Sequence, residues 1–531
     1  MTLRVNEQDD LFGAHVTMAG FLPDDDPMIV FSREIYPLFR DEDFTEIYAD
    51  IGRGAISPAL LAMVTILQYQ EHLSDEEATE ACVKRLDWKI ALHLPIDARQ
   101  QFDSSTLCRF RNRLKENVQS SIIFDTILEA IKKKGFIKNI TNQRIDATHI
   151  LSHVNRIATV DLLFKAVKSL IEEIKTKDAA YYSDHIPETM KERYMNRFSS
   201  FGMSKERRGD KMAEIVEDGL YLKSLLEKIA SEKLTDLKQL SIMETIFAEN
   251  VTIKKKAIKD KLFIEVEEIR APKQTILHPD DLSIKLGIKG TKNWVGSKCH
   301  IAETAVRGKV NFITDMIYQA ANEGDHNIHD AYIHSNNKRG LKPEKIYTDQ
   351  GYISGKSIFK YSSNKQTLMG RISHDTSKKQ RDFKLDKFTI DVQNKKALCP
   401  MNKRSEKHTF LKKGLIDIYF SRNDCSQCKN AQECIGMSTR NKKRIQVSPY
   451  YDYIKARRSF QKTNEFKQEM RVRAQIEGTI SEMVRKCGLR YARYKGKDGH
   501  QLQFYLTGAA LNVKRFIRAM TKGMDIKQPV Y

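Results

Sequence analysis

The chain has 531 residues, 40% of them hydrophobic and 9% aromatic, which is enough for roughly two to four domains with buried cores. Its formal net charge of +21 favours a polyanionic partner, nucleic acid being the commonest. No signal-peptide pattern, no apolar stretch of the ~18 residues a membrane helix needs and too few cysteines for a disulfide scaffold argue against secreted and membrane classes and for a reducing, cytoplasmic setting.

The charge is uneven. Residues 1–50 hold 3 Lys+Arg against 12 Asp+Glu, whereas residues 451–531 hold 18 basic and 7 acidic side chains. A generally basic, solvated surface explains this balance unless motifs say otherwise.

Residues 1–120 predict a helical domain. Ser57-Pro58 is a helix start, an N-cap residue followed by proline at the first helical position. The run behind it, 59–69, is apolar on nearly every side and predicts a buried helix. Ser74-Asp-Glu-Glu77 predicts a capping box opening the next helix. Asp103-Ser-Ser-Thr106 then precedes a segment in which Arg109, Arg111 and Arg113 lie near Leu107, Phe110 and Leu114. Short helices ending in an Arg-rich one suggest a helix-turn-helix-like DNA reader, with these arginines as contacts. An ordinary helical domain with a basic solvent face fits the pattern equally well.

Residues 121–154 predict an amphipathic helix over 121–141 and then a strand over 143–151. Residues 155–260 predict a charged, mostly helical insertion with a flexible polar joint at 199–210. Strand patterns return over 261–384: 262–266, 297–302 and 311–318 are expected as neighbours, followed by a helix at 327–339 and a strand at 345–349. Residues 385–450 predict short strands and loops with half of the cysteines. Residues 451–531 predict a helical end with an amphipathic helix at 502–520. Strands mixed with helices and interrupted by two insertions indicate an α/β fold.

Three acidic residues, far apart in the chain, sit in contexts suited to phosphoryl transfer. They are Asp146 in Gln143-Arg-Ile-Asp-Ala-Thr-His149, Asp349 in Ile346-Tyr-Thr-Asp-Gln-Gly-Tyr352, and Glu477 in Arg473-Ala-Gln-Ile-Glu-Gly478. Two Mg²⁺ ions (or Mn²⁺) that clamp such a transfer need several carboxylate oxygens converging on one point. Asp146 lies in a hydrophobic strand pattern, where a carboxylate is costly to bury without a partner. Asp349 ends a strand just before a glycine, the place where α/β proteins bind ligands. Glu477 lies one helical turn after Arg473, on the same face. Arg473 then either holds a DNA phosphate beside the metals or forms a plain salt bridge within its helix.

Cys399, Cys425, Cys428 and Cys434 form a C-x25-C-x2-C-x5-C pattern. Four thiolates would close a tetrahedral structural Zn²⁺ site. His408 is an alternative ligand, and a set of free cysteines in a basic loop is the plain reading. Cys82, Cys108, Cys299 and Cys487 are scattered and read as packing residues. Around the pattern lie Lys403-Arg404, Lys407, Lys412-Lys413 and the basic run 440–444, with Tyr450, Tyr451 and Tyr453 nearby. Basic clusters with aromatics suit a surface that tracks a nucleic-acid strand.

The order and contexts of these motifs resemble the DDE transposases of bacterial insertion sequences. Asp146-Ala-Thr-His, Asp349-Gln-Gly-Tyr352 and the Arg473/Glu477 pair match that family's carboxylate motifs. Met470 stands where the family has Tyr and Val484 where it has Lys, with Arg485 and Lys486 adjacent as substitutes. Gly52-Arg-Gly-Ala-Ile-Ser-Pro58, Trp88 and Phe102-Asp-Ser-Ser-Thr-Leu107 are similar to the family's N-terminal domain. Residues 478–490, Tyr494 and Ala509-Ala-Leu-Asn-Val-Lys514 are similar to its C-terminal segment.

The resemblance implies an RNase H-like catalytic core carrying a helical and a Cys-containing insertion. It implies a transposase that cuts and joins DNA with Asp146, Asp349 and Glu477 around Mg²⁺ or Mn²⁺. Expected DNA contacts are Arg109, Arg111, Arg113, Arg473, Arg485 and Lys486. Expected partners are double-stranded DNA, as terminal inverted repeats and target, and a second copy of the chain in a homodimer. Asp315 and Asp330 compete for the second carboxylate position, and the Asp-x-Gly-Tyr context favours Asp349. Rival readings are a catalytically silent DNA-binding protein and a stand-alone RNase H-like nuclease.

Overall fold

The N-terminal helices begin at their capping residues. Ser57 accepts the Leu60 N–H at 3.1 Å and opens Pro58–Glu71. Ser74 and Glu77 form the reciprocal capping box of Asp75–Lys84, and Asp103 caps Ser104–Glu116. The computed structural model describes residues 13–522 apart from 19, 50–53, 118, 153–156, 230, 259–260, 270–274, 374–382, 412–413 and 436–441. Gly52, Arg53, Lys412, Lys413, Arg440 and Asn441 of the motifs above therefore lie outside the described residues.

Pro58–Glu71 is apolar on nearly every side because it is buried on nearly every side. Its core is shared with Trp88, Phe110 and Phe124, with Ile301 and Met316 of the main sheet, and with Leu506 and Phe516 of the long helix Lys497–Lys522. Gly508 permits that helix to lie this close: a Cβ there would meet Met316 Sδ at 2.8 Å and Phe124 Cε2 at 2.9 Å.

Strand β1 (Gln143–Leu151) is central to the main sheet. The chain then leaves for the helices Thr159–Lys177, Lys205–Lys228 and Lys238–Asn250, which have their own core around Leu163, Val167, Ile215 and Ile246. The 199–210 stretch is not a uniform joint, since Ser204 caps the Lys205–Lys228 helix. A hairpin of β2 (Val251–Ile258) and β3 (Lys261–Glu268) follows. The expected pairing of 262–266 with the core strands is thus corrected: β3 pairs with β2 in a separate two-stranded sheet. A period of two identifies a strand without naming its neighbour.

The main sheet resumes with β4 (Lys285–Lys289), β5 (Lys292–Thr304) and β6 (Ile313–Ala320), then β7 (Lys345–Tyr347) and β8 (Thr367–Met369). Its order is β6-β5-β1-β7-β8, with β4 beside the start of β5. Strand β5 is antiparallel to β1 and β6, whereas β7 is parallel to both β1 and β8. The helices His329–Lys338 and Gly355–Ser363 carry the chain into β7 and β8 and cover one face, over Ile145, Ala302, Ile346 and Leu368. The opposite face packs against Gln475–Lys486 and Lys497–Lys522.

Beyond β8, β9 (Thr389–Asp391) pairs with β10 (Lys396–Leu398). Then β11 (Ser405–Phe410), β12 (Ile416–Phe420) and β13 (Arg444–Val447) form a three-stranded sheet. Their small core centres on Phe388, Ile418, Phe420 and Val447. The helix Tyr451–Phe460 returns the chain to the Gly355–Ser363 helix. Among the described residues no helix is long and apolar enough to cross a membrane.

Candidate active site

Side chains alternate along a strand, so Arg144, Asp146 and Ile150 of β1 share the face that meets the Gln475–Lys486 helix. Strand β7 pairs with β1 in parallel, Gln143 opposite Ile346 and Arg144 opposite Tyr347. Continued by two residues, this register brings Asp349, just past the end of β7, level with Asp146 in the middle of β1, where the pairing of the two strands ends. Asp349 is exposed and precedes the short turn Gln350–Tyr352. Burial pushes the Asp146 carboxyl above the usual carboxylate range, and the charge of Asp349 pushes the same way. The Ala147 N–H, donating at 2.8 Å, and Arg473 oppose the shift in part.

Glu477 reaches this edge through an arginine. Arg473 Nη1 lies 3.0 Å from Asp146 Oδ2 and its Nη2 3.3 Å from Glu477 Oε1. The guanidinium therefore links two carboxylates that are 331 residues apart in the chain. Among the described residues no three His, Cys, Asp or Glu side chains already stand in metal-holding geometry. Arg473 is engaged with these carboxylates, an ion-pairing role that the sequence left open beside the phosphate role.

The competing acids are placed elsewhere. Asp315 pairs with Ala302, which pairs with Ile145, so it belongs to the opposite face of the sheet from Asp146. Its carboxylate is buried against Arg339 at 2.7 Å. Asp330 lies on the His329–Lys338 helix in an ion pair with Lys360.

Tyr352 anchors the turn after Asp349. Its ring is fully buried and its hydroxyl donates to His300 Nδ1 at 2.7 Å, while His300 Nε2 donates to Gln319 Oε1 at 2.9 Å. His329 Nε2 donates to the Tyr352 carbonyl at 2.8 Å. Burial and the nearby carboxylates of Asp146, Asp325 and Asp349 hold the Tyr352 hydroxyl neutral, well above its ordinary range.

Of the expected DNA contacts, Arg109 is exposed and Arg113 is half-buried with its guanidinium 4.5 Å from the Tyr48 ring centre. Arg111 is corrected. It is buried, bonded to Gln68 and ion-paired with Asp75, so it faces the core. Leu107, Phe110, Arg111 and Leu114 follow the i, i+3, i+4, i+7 spacing of a buried stripe, a signal that could have found this. Arg485 and Lys486 are exposed at the end of the Glu477 helix.

Two cationic groups were missed from sequence. Arg490, Lys289 and Lys292 surround His149, three residues past Asp146; burial and these cations push its imidazole down to about 4. Lys384, Lys455, Arg458 and Lys462 line a cleft of about 320 Å³ with Asp386, Tyr451 and Ser459. Arg458 donates to the Ser373 carbonyl, just beyond the end of β8. The cysteines of the C-x2-C pattern and their two partners line one small cavity, which does not include His408.

Comparison with protein families gives two matches. A family described as "Transposase domain (DUF772)" matches residues 17–113. A family described as "Transposase DDE domain" matches residues 398–517, the part of the chain that carries Arg473 and Glu477. Neither the curated proteins nor the solved structures compared gave a match.

Proposed function

The chain is an insertion-sequence transposase of the DDE type, and from that premise we propose that Asp146, Asp349 and Glu477 are its catalytic carboxylates. In this reading it binds the terminal inverted repeats of its element, cuts the DNA there and joins the freed ends to target DNA. The observation that supports the reading is that Asp146 of β1 and Asp349, just past the end of the parallel β7, fall level and interact electrostatically, with Arg473 linking Asp146 to Glu477. The strand order β6-β5-β1-β7-β8 and its strand directions support an RNase H-like core.

The donor set fits divalent cations. Three hard carboxylates are at hand, and burial together with the Asp349 charge disfavours ionised Asp146 by more than Arg473 offsets, a cost that a bound cation would relieve. Bound Mg²⁺ or Mn²⁺ would supply Lewis-acid stabilisation of the phosphoryl oxygens and of the attacking and leaving oxygens. In cleavage, a water oxygen bonds to phosphorus, the P–O3′ bond breaks, and the leaving 3′-oxygen ends as a hydroxyl. In strand transfer, that hydroxyl attacks a target phosphorus and breaks a second P–O3′ bond. Tyr352 keeps the Asp349 turn fixed during these steps, and Arg473, once displaced from Asp146, is free to meet a DNA phosphate.

Arg109, Arg113, Arg485 and Lys486 contact DNA phosphates in this proposal. The cleft of Lys455, Arg458 and Lys462 carries the strand onward from the β8 end. A homodimer would hold both element ends together. The test is cleavage and strand transfer on DNA bearing the element's own terminal repeats, with Mg²⁺ or Mn²⁺. Asp146→Asn, Asp349→Asn and Glu477→Gln should each abolish both reactions while repeat binding survives. Wild-type protein that binds the repeats but never cuts with either metal would instead mark a silent DNA-binding protein.

A further inference from the structure

We propose that Cys399, Cys425, Cys428 and Cys434 form a tetrathiolate site for one structural Zn²⁺ ion, separate from the carboxylate edge. Cys399 follows β10, Cys425 lies in the short helix Arg422–Ser426, Cys434 in the short helix Ala431–Ile435, and Cys428 in the turn between those two. Chain folding brings all four to one cavity of about 40 Å³, closed by Phe388, Phe420 and Ile435. Such a volume suits a single ion rather than an organic ligand.

The surroundings are those of sulfur atoms that carry charge. The Lys403 N–H donates to Cys399 Sγ and the Lys443 N–H to Cys425 Sγ, each at 3.4 Å. Backbone donors stabilise a thiolate more than a thiol. Four thiolates and one Zn²⁺ sum to a charge of −2, and both Lys403 and Lys443 line the same cavity. All four are free cysteines. They are not yet in ligating geometry, so metal capture requires the side chains to turn inward.

Local stability gives the site its purpose. From 421 to 435 the sole buried residue is Ile435, and so small an apolar contribution leaves the segment in need of a crosslink. An all-sulfur donor set selects zinc over magnesium or calcium. His408 lies on β11 with its ring against Phe410 and does not border the cavity, which leaves four cysteines as the set.

The experiment uses the full chain, expressed in zinc-supplemented medium and purified without chelator. Elemental analysis should find about one Zn per chain. The double variant C425S/C428S should fall to less than a tenth of that, while Cys487→Ser retains it. A second measurement covers poor folding of the double variant. Titration of wild type with p-mercuribenzoate should release the zinc in step with modification of four thiols, and Co²⁺ exchange should give the absorption of a tetrahedral thiolate complex. Metal-free wild type that takes up no Co²⁺, zinc retained by C425S/C428S, or a Cys425–Cys428 disulfide in the freshly purified protein would each overturn the proposal. None of these readouts depends on DNA cleavage.

Discussion

Arg144 and Glu303 face each other across the β1–β5 ladder in a 2.7 Å ion pair, with side chains 2% and 0% exposed. Arg144 Nη1 also donates to the Val472 carbonyl at 2.9 Å and to Gln475 Oε1 at 2.6 Å. Glu303 also accepts from Thr479 Oγ1 at 2.9 Å and from Arg515 at 2.8 Å. The pair thus ties the start of the Glu477 helix to the strand that bears Asp146. Removing one partner of a buried ion pair costs roughly 3–5 kcal/mol, because the other charge stays buried. Glu303→Gln should therefore lower the urea midpoint strongly and reduce cleavage as well. An unchanged midpoint would remove the network from the account of how Glu477 is held.

Asp146→Asn should behave in the opposite way. The folded-state pKa of Asp146 is raised by burial and by Asp349. Its stabilising contribution is present below the usual carboxylate range and is lost as pH rises through the raised value. At neutral pH the ionised group is then a cost, which asparagine avoids. We expect Asp146→Asn to be at least as heat-stable as wild type at pH 7, with this relative advantage gone at pH 3. Millimolar Mg²⁺ should raise the wild-type midpoint and leave that of Asp146→Asn in place. Equal responses of the two proteins to Mg²⁺ would count against metal binding at Asp146.

How far the sequence could be read depended on whether a residue's signal was local. Asp146 stands out because a carboxylate interrupts an apolar strand pattern, and helix starts at Ser57 and Ser74 stand out because capping is a contact within three residues. Arg144 breaks the same strand pattern two residues earlier, yet its partners Glu303 and Gln475 are remote in sequence and no spacing reveals them. The same is true of Tyr352, whose buried bond to His300 depends on the sheet being formed. β3 was legible as a strand but not as the partner of β2, because periodicity carries no information about pairing. Arg111 differs from these: its inward-facing spacing with Leu107, Phe110 and Leu114 is local and legible, and that spacing rather than its charge decides its burial.

Two arginines of one helix thus contrast. Arg109 is exposed on Ser104–Glu116, whereas Arg111 is ion-paired with Asp75 in the interior. Arg109→Ala should weaken DNA binding across sequences and reduce the salt slope by about 1, without changing the unfolding midpoint. Arg111→Ala should lower stability by roughly 3 kcal/mol through the stranded Asp75 and the cavity left behind. Fluorescence anisotropy over a salt series and urea unfolding separate the two. A stable Arg111→Ala protein with weakened binding would return Arg111 to the DNA face.

The Tyr352 anchor should be sensitive to acid. Burial pushes the His300 imidazole down to about 4; Asp325 pulls it upward, while Lys298 and His329 push it down further. The unfolded histidine takes its proton near pH 6.5, so the unfolded chain gains protons first as pH falls. Stability from neutral His300 is therefore complete above about pH 6.5 and is lost progressively as pH falls toward 4, at no more than about 1.4 kcal/mol per pH unit. Protonation also puts a hydrogen on Nδ1, the atom that now accepts from the Tyr352 hydroxyl at 2.7 Å. The turn bearing Asp349 should loosen in the same pH interval. His300→Gln cannot take up this proton, and it should show a shallower loss of stability between pH 6.5 and 4 than wild type. His149, whose shift comes from burial, Arg490, Lys289 and Lys292, acts equally in both proteins, so the difference between the two slopes reports His300 together with its interaction with His329. Parallel slopes would mean that His300 is not neutral in the folded protein at pH 5.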